Sequence, residues 1–326
     1  MPTQLSLARP RGNFSYLVGL ATIFLLFFAI GRTINQRVPQ LSNINRVEAL
    51  VIVLLYLACH FQYRLKIPTE LYLFGAFILW AAATGLVVAT DSAPTINYLR
   101  VLAQLWPLAV AYAGFCVVQR SATIPFFVVI VTGVFLVAYS RVSGDFALAT
   151  QTKSQARASG ILLNPNMFGF MMLYASMGLA YLWGMKKQLY VRLLLPGLLA
   201  AFAASILASG SRKSFACLFL FMVAWLWYCY RAQVFRNFYV IFIVLAVAVG
   251  LFFLTDYMLH ETFMGERFEE AIESRSLGDK RTHMYQRGWE LFLENPVAGV
   301  GLGNFAVVSG LGTYSHSDYA ETLSTT

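Results

Sequence analysis

The sequence predicts an all-α fold: a polytopic bundle of about nine transmembrane helices with one long loop on its outer face. Two observations carry this. Of the 326 residues, 59% are hydrophobic and only 12% charged, against about 25% charged in a soluble domain, and the mean hydropathy is +0.65. The apolar stretches are also long and unbroken, as membrane helices require, whereas barrel strands alternate polarity over about ten residues. So little charge excludes a soluble enzyme, and an aromatic content of 15% excludes a disordered chain.

Each span follows from its own run of residues. Phe14–Gly31 is long enough to cross, and no small-residue cleavage site follows before Asn35, so it reads as a helix rather than a removable signal. Val47–Tyr63 is short, with Glu48 at one rim and His60 inside. Leu71–Thr90, Val101–Gln119 and Ala122–Ser140 carry no charge, and the tight Arg120-Ser121 link forces the last two antiparallel. Ile161–Gly184, Leu193–Ser209, Phe215–Tyr230 and Phe238–Thr255 complete the nine. Residues 1–255 thus form the transmembrane domain, and 256–326 an outer loop region. Cys59, Cys116, Cys217 and Cys229 all fall in spans without Cys-x-x-Cys spacing, which points to packing thiols rather than a disulfide or a metal site.

Lys and Arg orient the bundle. With the N-terminus cytoplasmic, the short inner segments hold Arg9, Arg11, Arg64, Lys66, Arg120, Lys186, Lys187, Arg192, Arg231 and Arg236 against the single acid Glu70. The short outer loops are basic as well, through Arg32, Arg37, Arg46, Arg100, Arg141, Lys153, Arg157, Arg212 and Lys213. Topology does not require those outer bases. They suit an anionic ligand at the outer face, or pairing with the acids of the Asp256–Thr326 loop, which has eleven acids and five bases.

Two outer segments exceed what a connection needs, Arg141–Gly160 and the 71-residue loop Asp256–Thr326. Within the latter, residues 280–295 place Tyr285, Gly288, Trp289 and Phe292 on one helix face and Arg287, Glu290 and Glu294 on another. Asp279 is the expected cap and Asn295-Pro296 the expected stop. Such a helix lies in the membrane interface, with Arg281 and Arg287 near the headgroups. Gly299-Val300-Gly301-Leu302-Gly303-Asn304 lacks the strand and third spaced glycine of a nucleotide loop; it reads as a turn packed closely on the membrane domain. His316 stands in a polar stretch with Asp318 and Glu321, where its near-neutral pKa suits proton transfer. Arg212 and Lys213 occupy the Ser209–Ser214 link between two apolar spans. Charge at a membrane rim is costly and often functional, the alternative being snorkelling into headgroups.

Four motifs occur in a recognisable order. They are Asn164-Pro165-Asn166-Met167-Phe168-Gly169, then Gly210-Ser211-Arg212, then Arg281 with Asn295-Pro296-x-x-Gly299-Val300-Gly301-x-Gly303-Asn304-Phe305, then His316-Ser317-x-x-x-Glu321. From about Ala156 onward the chain resembles the O-antigen ligase and O-antigen polymerase family of bacterial envelope proteins. The resemblance implies a metal-independent glycosyltransferase without cofactor, in the inner membrane, with its long loop periplasmic. The donor would be a glycan on undecaprenyl diphosphate. The acceptor would be lipid A-core for a ligase, or a second lipid-linked glycan for a polymerase. Membrane lipids are the other expected partners, and no nucleic acid is expected. Carried over by position, Arg212, Arg281 and His316 are the candidate catalytic residues. Lys213, Arg287, Arg157, Asn166, Asp318 and Glu321 are candidate substrate-binding residues. Family members continue with further spans after the His-Ser motif, whereas this sequence stops at Ser324-Thr325-Thr326, as a shortened product or fragment would.

The chemistry fits the residues. Arginine stays protonated and grips phosphate oxygens in pairs, so two can stabilise a departing diphosphate without a metal. A transporter of lipid-linked glycans would also use outer arginines, but it needs ionisable groups at midplane, which the spans lack. A structural scaffold would need no arginines at all.

Overall fold

The computed structural model describes residues 13–35, 38, 42–63, 69–119, 123–149, 157–185, 189–234, 242, 277–315 and 318–325. Every regular element among them is helical: α1 (Asn13–Ile34), α2 (Ser42–Tyr63), α3 (Thr69–Val88), α4 (Ser92–Gln119), α5 (Thr123–Val142), the short α6 (Asp145–Ala149), a 3₁₀ turn (Gly160–Leu162), α7 (Pro165–Met185), α8 (Leu189–Ser209), α9 (Arg212–Val234), α10 (Leu277–Glu294), the short α11 (Phe305–Val308) and α12 (Asp318–Thr325). Seven of these, α1 to α5, α7 and α9, are long and apolar enough to cross a bilayer. In α8 the apolar run is shorter, Leu194–Ser209. The expected span Phe238–Thr255 lies, apart from Phe242, outside the described residues. The chain is a multi-pass helical bundle.

Contacts sort it into two compact units, one of Gly19–Glu48 and Ser121–Glu270, the other of Met1–Val18, Ala49–Arg120 and Ala271–Thr326. In the first, α7 is the central helix: 50% of its spanning window is buried, against 11% for α9. Leu136, Phe168, Met172, Phe202 and Ile206 fill the core among α5, α7 and α8. Lipid tails are as apolar as leucine, so membrane helices associate through close packing at small residues. Gly133 shows this directly. A Cβ there would stand 2.8 Å from the Ala175 Cβ and 3.3 Å from the Phe202 ring. Buried Ser176 and Ser205 donate back to the Met172 and Ala201 carbonyls at 2.8 Å each, which removes unpaired hydroxyls from an apolar core.

In the second unit, α3 and α4 pack side by side. The Trp106 ring covers Gly75, and its indole N–H donates to the Leu71 carbonyl at 2.9 Å. Tyr56 of α2 lies over Gly114 and meets the Phe115 ring edge-on. Towards the C-terminus, Gly288 of α10 lets the Ala320 Cβ of α12 come within 3.3 Å of where its own Cβ would stand. Leu291, Val300 and Phe305 close a small core beside this contact.

One expectation for α10 needs correction. It begins at Leu277, two residues before the expected Asp279 cap, so Asp279 falls inside the first turn. The face turned to the rest of the unit is narrow. Gly288 and Leu291 are buried, whereas Tyr285 (40% exposed) and Trp289 (54%) face outwards with Leu293. The reason is α12: the helix turns its smallest residue, Gly288, towards its neighbour and leaves the bulky aromatics outside. The four cysteines are unpaired thiols.

Gly133→Leu should lower the thermal midpoint of the detergent-purified protein by the equivalent of about 1–3 kcal/mol through overpacking. Gly19→Leu, where nothing stands within 4 Å, should leave the midpoint unchanged. Differential scanning fluorimetry of both variants checks the pair.

Candidate functional site

The first unit gathers its polar chemistry where α8 turns into α9. Gly210 ends α8 in the left-handed region (φ +59°), the usual helix-stop conformation for glycine. Its N–H returns to the Leu207 carbonyl at 2.9 Å. Ser211 then precedes α9, its hydroxyl 2.9 Å from that of Ser214, and Arg212 opens the helix. Gly169, in the first turns of α7, brings that helix against this corner: a Cβ there would stand 2.9 Å from both the Ser209 and Ser214 hydroxyl oxygens.

The Asn-Pro-Asn stretch shapes the start of α7. Asn164 Oδ1 accepts from the N–H groups of Asn166 (2.9 Å) and Met167 (3.3 Å), a helix cap. Pro165 takes the first helical position, where its missing N–H is harmless. Asn166 uses its side chain elsewhere. Arg157 donates through Nε to the Ser209 carbonyl (2.8 Å) and through Nη2 to Asn166 Oδ1 (2.9 Å). One guanidinium thereby ties the start of α7 to the α8–α9 turn. The backbone beside it is pinned on both sides: Ala158 N–H donates to the Ala208 carbonyl at 2.9 Å, and Asp145 Oδ2 accepts from the N–H groups of Ser159 (2.9 Å) and Gly160.

The result is a corner where two helix N-termini meet Arg157, a half-buried Arg212 and an exposed Lys213. Asp145, the acid that touches this segment, has its carboxylate engaged by backbone N–H groups. Helix N-termini carry partial positive charge and attract anions, phosphate above all. The corner thus gathers three basic side chains and the first turns of two membrane-spanning helices.

The second unit holds the loop residues. Asn304 is fully buried. Its Oδ1 accepts from the Asp91 N–H at 2.9 Å, and its Nδ2 donates to the Asp91 carbonyl at 2.9 Å and the Thr95 hydroxyl at 3.1 Å. Thr95 in turn donates to the Leu302 carbonyl at 2.8 Å. Gly301 (φ +91°) and Gly303 (φ +78°) sit so close to Ala89 and Tyr98 that a Cβ would come within 2.7 Å of either. The glycine run is therefore a turn packed on the α3–α4 corner, as its sequence suggested. Glu321 Oε2 accepts from the Ser315 N–H at 2.8 Å and so ties down the backbone beside His316. Arg287 pairs with Glu290 (2.9 Å) and Glu294 (3.2 Å) along its own helix, and those two hydrogen bonds raise its pKa further. Arg281 lies within α10 and Asp318 at the start of α12; their side chains, and His316 altogether, lie outside the described residues.

The structure thus joins Arg157 directly to Asn166, with Arg212 and Lys213 at the same corner, and places Arg281, Arg287, Asp318 and Glu321 in the other unit. Sequence reasoning missed Asp145, the serine hydroxyls and the full role of Asn304. Only Asn304 carried a signal, as the polar residue closing a glycine-rich turn. Among the described residues no three His, Cys, Asp or Glu side chains gather as a metal site would need.

The fold defines a multi-pass helical membrane protein. Residues 197–326 match the O-antigen ligase family model, and this match supports assignment to the O-antigen ligase family. It spans the Gly210-Ser211-Arg212 turn, α10, the glycine turn and α12, which contain three of the four motifs. No curated protein and no solved structure matches the chain.

Asn304→Ala should leave both the Asp91 N–H and the Asp91 carbonyl without their partner, a loss of about 1–3 kcal/mol. Limited proteolysis should cut the segment between α10 and α12 faster than in wild type. Equal cleavage rates would show that the turn does not depend on this side chain.

Proposed function

We propose that this protein is a glycosyltransferase of the outer face of the bacterial inner membrane, which moves a glycan from undecaprenyl diphosphate to lipid A-core. The observation that carries the reading is the Arg157 link. It assembles two helix N-termini and the cations Arg157, Arg212 and Lys213 into one corner suited to a diphosphate. The O-antigen ligase match supports the reaction class, and the asymmetric distribution of Lys and Arg supports a cytoplasmic N-terminus and a periplasmic long loop.

In this reaction an acceptor hydroxyl oxygen attacks the anomeric carbon, and the bond from that carbon to the diphosphate oxygen breaks. Negative charge develops on the departing diphosphate. Arg212 and Arg281 stabilise it, with Arg157 and Lys213 adding to the field. Such preorganised charge is worth on the order of 3 kcal/mol per donor removed. His316 takes the proton from the acceptor hydroxyl. Glu321 holds the backbone at Ser315, and hence the entry to His316, through a main-chain hydrogen bond. Asp318 stands two residues after His316, and orienting its ring is the role proposed for it.

The purified protein in proteoliposomes, given lipid-linked glycan donor and lipid A-core, provides the test. Arg212→Ala should lower kcat by about 10²–10³-fold, and His316→Ala by about 10²–10⁴-fold. Full activity in either variant would remove that residue from the reaction. Expression in a strain lacking its own ligase separates the two members of the class. A restored lipopolysaccharide ladder identifies a ligase; elongation of lipid-linked repeats without a ladder identifies a polymerase.

A further inference from the structure

Where α1 ends and α2 begins, the first unit holds a polar cluster that plays no part in the corner. Gly31, in the last turn of α1, lets the two helices approach: a Cβ there would collide with Asn45 Oδ1 and stand 3.7 Å from Glu48 Oε2. Asn35 follows one turn later, its N–H bonded to the Gly31 carbonyl at 2.8 Å. Ile34, just before it, packs against the core shared by α5, α7 and α8. Asn45 is buried (4% exposed), and Asn35 and Glu48 are half-buried. Asn35 Oδ1, Asn45 Nδ2 and Glu48 Oε2 are all shielded from solvent and have no hydrogen-bond partner among the described residues. Arg46, the neighbouring base on α2, donates to Asn43 Oδ1 at 3.3 Å.

Each unmatched buried polar atom costs about 1–3 kcal/mol, and a native fold rarely keeps several at one contact unless another group meets them. The atoms themselves specify that group. Asn45 Oδ1 faces the Gly31 backbone, so Nδ2 is the donor left over, beside the acceptors Asn35 Oδ1 and Glu48 Oε2. A metal ion or an ammonium group suits two oxygens but not an amide N–H, and a phosphate is repelled by a carboxylate. A hydroxyl both donates and accepts. Two hydroxyls give one proton to each oxygen and take the amide N–H on a lone pair. Adjacent hydroxyls of this kind are what a sugar ring presents. With the N-terminus cytoplasmic, α1 ends and α2 begins at the outer face, the face proposed for glycan transfer.

We propose that Asn35, Asn45 and Glu48 form a sugar subsite, which takes two hydroxyls of a glycan where α1 meets α2. The subsite rests on the glycosyltransferase reading above. The glycan is that of the donor or that of the acceptor, which offer the same hydroxyl chemistry. Asn35 and Glu48, the half-buried members, turn to admit the edge of the ring.

Binding of free glycans to the full chain in detergent tests this, titrated by saturation-transfer NMR. One probe is the donor glycan released from its carrier; the other is the lipid A-core oligosaccharide freed of its acyl chains. Wild type should bind at least one of them. Glu48→Gln, which keeps the shape of the side chain, and Asn45→Ala should each weaken that binding about tenfold, as loss of a hydrogen bond to a desolvated group does. The thermal midpoint of Glu48→Gln should stay at the wild-type value. Weakening of the first probe assigns the subsite to the donor, and weakening of the second assigns it to the acceptor. Binding of neither probe by wild type, or wild-type affinity for both in the two variants, would overturn the subsite. So would a lowered midpoint in Glu48→Gln, which would mark the three groups as part of the fold, bridged by water. Transfer in proteoliposomes separates this from the activity itself. Intact transfer with glycan binding that ignores Glu48 overturns only the subsite; glycan binding that depends on Glu48 in protein that transfers nothing overturns only the reaction.

Discussion

A single guanidinium holds together the corner on which the proposed chemistry depends. Arg157 reaches the Ser209 carbonyl with one N–H and the Asn166 side chain with another. A planar fork with fixed donor directions can hold two elements in register, which a flexible ammonium cannot. The first turns of α7 and α9 are thereby kept at one corner. Gly169 and Gly210 take part because any side chain at either would push the elements apart or force an L residue into the left-handed region. Asp145 fixes the neighbouring backbone from the other side. The corner combines helix dipoles and permanent charge at a membrane rim, where the field is less screened than in bulk water.

The loop region is organised by an equivalent device with different atoms. Asn304 offers a donor and an acceptor from one buried amide, and both are matched by the backbone of Asp91 and the Thr95 hydroxyl. Gly301 and Gly303 allow the backbone to approach α3 and α4 closely enough for those bonds to form. In both units, then, a glycine permits contact and a polar side chain specifies it.

Much of this was legible in the sequence, for identifiable reasons. The spans follow from hydrocarbon thickness and uninterrupted apolar runs, which few other structures satisfy. The glycine run announced a close backbone approach, and the Ser209–Ser214 link announced charge at a rim. What was not legible depends on partners distant in sequence. The close contact of Gly288 in α10 with Ala320 of α12 joins residues far apart in sequence. Asp145 looked like one acid in a polar loop until the backbone of Ser159 and Gly160 closed around it. Arg157 and Asn166 were each visible as polar residues, but nothing in their spacing showed that they meet. Arg287, a candidate substrate-binding residue by sequence, is paired with Glu290 and Glu294, two carboxylates on its own helix.

The central claim is that the α7–α9 corner holds the diphosphate of a lipid-linked donor. The most direct measurement is the affinity of a non-transferable polyprenyl diphosphonate for the purified protein, titrated by native mass spectrometry. Wild type is compared with Arg157→Ala, Arg212→Ala and the double variant. The account predicts that each single change weakens binding about tenfold or more, and that the double change falls short of the product because both act on one corner. Wild-type affinity in all three variants would contradict it and place the headgroup elsewhere on the protein.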